Sequence, residues 1–233
     1  EPCRADVAKW IAMRALEKYD DGDDGDDARA GIREQFREQC VYAEITPASM
    51  DAIFDGEVAA AYDGGQTSLL PPPPSRAFYD LGSGTGKNVL LAAVAGRFDR
   101  AVGIEILPEL SAIAGALGES FREDVAPGSG ALWDVEFRTA SFLEDLEWVD
   151  AAGVVYCNTI MFDEPLMVAL AAHARGMRPG ALFITLGQDL LAYFDAGDGE
   201  PSTLEQDPFE IIGTFATRHS FGGGVDTFVH RRR

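Results

Sequence analysis

Cysteine and histidine are scarce in this chain, and basic residues are outnumbered two to one. The 233 residues include 3 cysteines, 3 histidines, 19 Lys plus Arg and 39 Asp plus Glu, for a formal net charge of -20. Cys3, Cys40 and Cys157 stand far apart, which excludes the disulfide framework that staples small secreted domains. His173, His219 and His230 are equally scattered, and no Cys/His spacing suits a zinc site. No run approaches the roughly 18 consecutive apolar residues of a membrane-spanning helix, and no signal-peptide pattern opens the sequence. A soluble, intracellular protein without a metal centre or a membrane is expected. The shortage of positive charge speaks against direct binding to DNA, because a surface of this sign repels phosphates. The same carboxylates keep a protein dissolved, and they also attract basic partners.

What is present is an ordinary globular balance, 46% hydrophobic and 25% charged, in a length that fits one domain with an appendage. Residues 1–70 are expected to form an N-terminal helical segment. Val7, Ile11, Met13 and Leu16 lie close to the spacing of an amphipathic helix. That helix stops in an acidic run, residues 20–27. Measured from Asp21, Asp23 suits the third position of a calcium loop, but Gly25 fails the fifth, so a polar loop is expected instead. A second helix is expected over 28–39, then a short extended piece over 41–45. Thr46 and Pro47 make a good helix start, cap and first residue, and the helix that follows points Met50, Ile53, Phe54 and Val58 toward a core. Prolines 71–74 cannot join a helix, and residues 71–76 are expected to be a linker to a second unit, 77–233.

From residue 77 strand and helix alternate. Strand-like runs fall at 77–81, 101–105, 135–137, 153–156 and 181–185, and helical stretches at 87–95, 108–124 and 165–175. This order predicts an α/β fold, a doubly wound Rossmann-like sheet. Two further strand-like runs, 209–217 and 225–230, flank Gly222-Gly223-Gly224, which predicts a C-terminal antiparallel hairpin.

The first strand runs into Asp80-Leu81-Gly82-Ser83-Gly84-Thr85-Gly86. Glycines there let the backbone turn tightly into a helix and leave room for a ligand against the main chain. A dinucleotide loop spaces them Gly-x-Gly-x-x-Gly to bring a pyrophosphate to the helix. The spacing Gly82-x-Gly84-x-Gly86 lacks that extra residue and suits S-adenosylmethionine, which has no phosphate. Glu105, nineteen positions beyond Gly86 and at the end of the second strand, can accept both ribose hydroxyls.

With these residues in view, the chain resembles the non-SET histone-lysine methyltransferases, the disruptor of telomeric silencing family. Val41-Tyr42-Ala43-Glu44-Ile45-Thr46 is similar to the segment that folds over the methionine end of the cofactor in that family. Residues 80–86 resemble its cofactor loop, and Gly103-Ile104-Glu105 its Gly-Val-Glu. Ser141-Phe142-Leu143 resembles an Asp-Phe-Leu that holds adenine. Asn158-Thr159-Ile160-Met161-Phe162 resembles the strand end beside the lysine channel, and Phe221 the aromatic hairpin that closes it. The resemblance covers roughly 41–230 and implies a methyltransferase fold, S-adenosyl-L-methionine as cofactor and a lysine of a basic protein such as a histone as acceptor. It further implies a cofactor site of Tyr42, Glu44, Thr46, Asp80, Gly82, Ser83, Gly84, Gly86, Glu105, Ile106, Ser141, Phe142 and Asn158, with Asn158, Phe162, Phe221 and Glu44 at the reacting end. A nuclear location follows if the acceptor is a histone, a cytoplasmic one otherwise.

The sequence departs from the family at Ala43 (a glycine there), Ser141 (the adenine-binding acid) and Thr159 (a second asparagine). The family's basic DNA-gripping tail is absent apart from Arg231, Arg232 and Arg233. The chemistry of the acceptor agrees with the resemblance: lysine must lose its proton before attack, from a free pKa of about 10.4, and an apolar channel lowers that value by desolvation. Phe162 and Phe221 suit the walls of such a channel, although each also suits a plain core. Alternatives are a small-molecule or non-histone-protein methyltransferase and a cofactor-binding scaffold without activity. An amino-directed nucleic-acid enzyme is disfavoured by Thr159-Ile160 where two prolines belong, and a cytosine-C5 enzyme by Tyr156 before Cys157 where a proline belongs.

Overall fold

Strands buried on both faces read as near-continuous apolar runs, and the central strands of this chain do, with Asp80 and Thr185 as their buried polar residues. In the computed structural model, which describes residues 10, 14, 45–63, 72–125, 134–194, 207–218 and 224–233, β1 (Ala77–Leu81) and β5 (Leu182–Leu186) are buried at every position. They belong to a seven-stranded sheet of order β3-β2-β1-β4-β5-β7-β6. Strands β2 (Arg100–Glu105), β3 (Asp134–Thr139) and β4 (Val154–Asn158) run parallel to β1 and β5. The last two, β6 (Phe209–Arg218) and β7 (Gly224–Arg232), pair antiparallel, and β7 pairs antiparallel with β5. This is the doubly wound sheet with a C-terminal antiparallel pair that the sequence predicts. Gly222 and Gly223, between the last two strands, lie outside the described residues.

Alternation along each strand divides the core. Phe78, Val154, Tyr156, Leu182 and Ile184 face one apolar cluster, which holds α3 (Lys87–Val94) and α4 (Pro108–Asp124). Tyr79, Leu81, Val155, Cys157 and Phe183 face the other, with α5 (Glu147–Ala151), α6 (Glu164–Ala174) and a 3-10 turn at Leu190–Tyr193. Helix starts follow capping chemistry: the Asp163 side chain accepts from Leu166 N at 3.1 Å with Pro165 in the first turn, and Pro108 opens α4.

Upstream of the sheet, Thr46 caps α1 (Pro47–Ile53), its hydroxyl accepting from Ser49 N at 3.3 Å. The helix expected to carry Met50, Ile53, Phe54 and Val58 does bury all four, but it is broken. A π turn, Phe54–Val58, with Gly56 at φ -90 and ψ -106, separates α1 from α2 (Ala59–Asp63). These elements share the core of the sheet. Phe54 packs edge-on to Phe78 and Phe98 with ring centroids 5.6 and 5.3 Å apart. Tyr62 Oη donates to Ser75 O at 2.7 Å, and Ser75 Oγ to Ala151 O at 2.5 Å, so the chain is tied down on both sides of the proline run. Of the first expected helix, Trp10 and Arg14 are helical and both donate to Asp124, at 3.2 and 3.0 Å. The acidic run 20–27, the expected helix 28–39 and residues 41–44 lie outside the described residues. Among the described residues no helix is long and apolar enough to cross a membrane.

Candidate functional site

Strand order reverses between β1 and β4, and in open α/β sheets the crevice at the carboxyl ends of such strands is where ligands bind. The loop after β1 is built for close approach. Gly82, Gly84 and Gly86 all hold positive φ, 75, 55 and 80. Gly82 N and Ser83 N both donate to Ile104 O, at 2.8 and 3.1 Å, which pins the loop to the end of β2. Only glycine suits position 86: beyond its left-handed backbone, a Cβ would lie 2.3 Å from the Phe137 ring. Gly103 likewise admits Ser83, whose Oγ would be 2.6 Å from a Cβ there. A Cβ built at Gly82 or Gly84 meets no atom within 4 Å, so this part of the loop turns its backbone to open space.

Glu105 ends β2 and is 6% exposed. Its Oε2 accepts from Gly84 N at 2.8 Å and its Oε1 from Leu107 N at 2.9 Å. Each carboxylate oxygen has two lone-pair directions, so this clamp leaves acceptor capacity for a hydroxyl on each. Ile106 follows, 64% exposed. Open backbone, a carboxylate with spare acceptors and an uncovered apolar side chain suit an amino-acid-linked nucleoside such as S-adenosylmethionine. Asp80 is buried on β1. Close by, Cys157 Sγ donates to Leu81 O at 3.3 Å, and burial, with a further push from the Asp80 charge, raises its pKa and keeps it a thiol. It is no nucleophile.

The end of β3 brings Ser141 and Phe142 to the same edge. Ser141 Oγ accepts from Leu143 N at 3.2 Å, so its hydroxyl oxygen shapes the turn. Phe142 O accepts from Trp148 Nε1 at 2.9 Å. Arg138 holds the turn from below, donating to Asp145 at 3.1 Å and to Glu136 at 2.7 Å. Hydrogen bonds from Arg138, working against burial and joined by Arg100, hold the Glu136 carboxyl down at about 2.

At the end of β4, Asn158 Oδ1 accepts from Ile160 N at 3.3 Å, and buried Thr159 donates its hydroxyl to Leu186 O at 2.9 Å. Phe162 stacks on Phe142, centroids 5.8 Å apart and planes 18° apart. Two rings to which the resemblance gives different roles, Phe142 at adenine and Phe162 beside the acceptor, are therefore neighbours. Met161 beside them is 68% exposed. The end of β6 shares this edge, and Thr46 N donates to Arg218 O at 2.9 Å, which brings Thr46 there as well. Tyr42, Glu44 and Phe221 lie outside the described residues.

Several site neighbours escaped the sequence reading. Phe137 is one, Gln188 another: its Nε2 donates to Thr159 O and to Phe162 O, and its Oε1 accepts from Tyr193 Oη. An aromatic ring or an amide in an α/β chain carries no spacing signal for such roles. Among the described residues no three His, Cys, Asp or Glu side chains converge as a metal site.

Residues 66–192, more than half of the chain, match the family described as "Histone methylation protein DOT1". A "Histone-lysine N-methyltransferase, H3 lysine-79 specific" of Eremothecium gossypii is 28% identical over 150 residues, 63% of this chain and 24% of that protein. The chain thus corresponds to about a quarter of that relative's length. Among solved structures, an O-methyltransferase from Bacillus cereus in complex with S-adenosylhomocysteine is similar over 95% of this chain and 100% of its own, at 15% identity and a TM-score of 0.54. The magnesium protoporphyrin IX methyltransferase of Synechocystis, with S-adenosylmethionine bound, matches over 99% and 97% at 15% identity and a TM-score of 0.51. At such identities the likeness is one of fold, that of the class I S-adenosylmethionine-dependent methyltransferases.

Proposed function

The chain belongs to the DOT1 family of histone methylation proteins, and from that premise we propose that it is an S-adenosylmethionine-dependent methyltransferase whose acceptor is a lysine of a basic protein. The observation that best supports the cofactor is Glu105, held by Gly84 N and Leu107 N with one lone pair of each oxygen left for the ribose. Gly82 and Gly84 admit the methionine part against their backbone, and Ile106 covers one face of the adenine, with Phe142 nearby. Ser141, whose oxygen already accepts from Leu143 N, can still donate its hydroxyl proton. When bound, S-adenosylmethionine supplies a methyl group on a sulfonium, open to in-line displacement. The protein's part is then alignment and dehydration.

Phe162, packed on Phe142, forms an apolar wall that lowers the pKa of an incoming ammonium by desolvation and so favours the free amine. Asn158 orients the nitrogen. By resemblance to the family, Tyr42, Glu44 and Thr46 cover the cofactor and Phe221 closes the acceptor side. The net charge of -20 favours a cationic partner over bare DNA. If that partner is a histone, the protein works in the nucleus.

The test is transfer from labelled S-adenosylmethionine to free histones, nucleosomes, basic peptides and a cell extract, with the modified residue located by mass spectrometry. Methyl groups on lysine are expected, with free histones at least as good as nucleosomes, whose wrapped DNA this surface repels. Label found only on nucleic acid, metabolites or carboxylates would refute the lysine acceptor.

A further inference from the structure

We infer that Gln188 is a positioning residue that fixes the shape of the loop 159–162, and with it the placement of Phe162 and Asn158. The inference rests on the reading of that loop as the acceptor side of the site. A glutamine amide has two N–H donors on one atom and an acceptor on the other. Around Gln188 stand two backbone carbonyls, Thr159 O and Phe162 O, and the phenol of Tyr193. Carbonyls only accept, so the nitrogen must face them. Tyr193 then donates to the oxygen, and all of these groups are satisfied together. The flipped amide would set its oxygen against two carbonyls.

The two carbonyls are the ends of one turn, closed by Phe162 N donating to Thr159 O at 3.1 Å. Thr159 is also fixed from behind, its N and Oγ1 both donating to Leu186 O, at 3.0 and 2.9 Å. The turn is thus gripped between the end of β5 and one amide side chain. Its Phe162 end makes the stack on Phe142.

The grip is itself anchored. Tyr193 ends the 3-10 turn that Asp189 caps, its Oδ1 accepting from Leu191 N at 2.9 Å. The same oxygen lies 2.9 Å from Nε2 of His230, which is fully buried on β7. His230 Nδ1 lies 3.0 Å from Phe183 O, so both ring nitrogens are held by neighbours on the sheet and the 3-10 turn. Side chains therefore relay the position of β5 and β7 to this loop. Gln188 contacts neither the glycine loop nor Glu105 among the hydrogen bonds described, so its effect belongs to the acceptor side.

The decisive comparison is wild type, Gln188→Met and Tyr193→Phe in the whole chain, read by amide hydrogen exchange and by titration with S-adenosylhomocysteine. Methionine keeps the length of glutamine and removes every bond of the amide. Tyr193→Phe removes one hydroxyl and is the gentler change. Exchange at residues 160–162 should rise by about tenfold or more in Gln188→Met, and by less in Tyr193→Phe. Exchange in β1 and β4 and the affinity for S-adenosylhomocysteine should stay unchanged. With an active acceptor, kcat should fall while KM for S-adenosylmethionine holds. Unchanged loop exchange in both variants, or a rise spread evenly over the sheet, would overturn the inference. If wild type transfers no methyl group at all, the proposed function fails, while the exchange data still decide whether Gln188 holds the loop.

Discussion

Glu105 serves the fold with the same carboxylate that is proposed to hold the ribose. Its two bonds to Gly84 N and Leu107 N set the spacing between the glycine loop and the start of α4, and the spare lone pairs are the proposed ribose acceptors. Glu105→Ala removes both. Hydrogen bonds to a charged group contribute roughly 1.5–3 kcal/mol each, so affinity for S-adenosylhomocysteine should fall by at least about tenfold. Glu105→Gln should also weaken binding, because its NH2 would confront one of the two backbone donors. Glu109→Ala, an exposed carboxylate in the first turn of α4, serves as the control and should change nothing. Calorimetric titration of the three variants checks this, and an undiminished affinity in Glu105→Ala would remove the assigned role. The position of Glu105 was legible in the sequence because strand, glycine loop and carboxylate follow a fixed spacing. The clamp was not, since it depends on how two loops meet. Gln188 was still less legible, because its partners are backbone carbonyls 29 and 26 residues away, which any residue type supplies.

Among elements, the turn after β3 and the short α5 form a unit held by charge. Arg138 donates to Glu136 and Asp145 and pairs with Glu147 at 2.5 Å, while Arg100 pairs with Glu136 and Glu147 at 2.7 and 2.8 Å. Trp148 of α5 then holds the Phe142 carbonyl. Glu136 sits at about 2 in the fold against an ordinary 4.5, and burial fails to prevent a downward shift at Glu147, where bonds from Arg138 and Arg100 prevail. A depressed folded pKa adds stability that is complete above about 4.5 and is lost as pH falls toward about 2. Thermal unfolding followed down this range should therefore show a falling Tm, less steep in Arg138→Leu, and less steep again in salt because these carboxylates are 39% and 37% exposed. Equal acid sensitivity in both proteins would deny the network this part. The sequence announced the long elements: α4 was expected over 108–124 and is Pro108–Asp124, because many residues repeat one apolar spacing there. It missed α5, at 5 residues too short to show a period, and the break at Gly56, which is a local backbone departure inside a continuous apolar pattern.

At the scale of the whole molecule, order of elements and charge were both readable, for different reasons. Five parallel strands with helices between them have few ways to close into a sheet, and the strand order reversal between β1 and β4 then fixes the edge where Gly82, Glu105, Phe142 and Asn158 gather. Composition states the net charge of -20 outright, yet it is silent on which ligand the edge takes, and that depends on bonds such as those of Glu105. The central claim is that this edge is an S-adenosylmethionine site, and equilibrium titration of the whole chain with S-adenosylmethionine, S-adenosylhomocysteine and NAD tests it most directly. Saturable, one-to-one binding of the first two with no heat from NAD is the expected result. Tighter binding of NAD than of S-adenosylmethionine would contradict it.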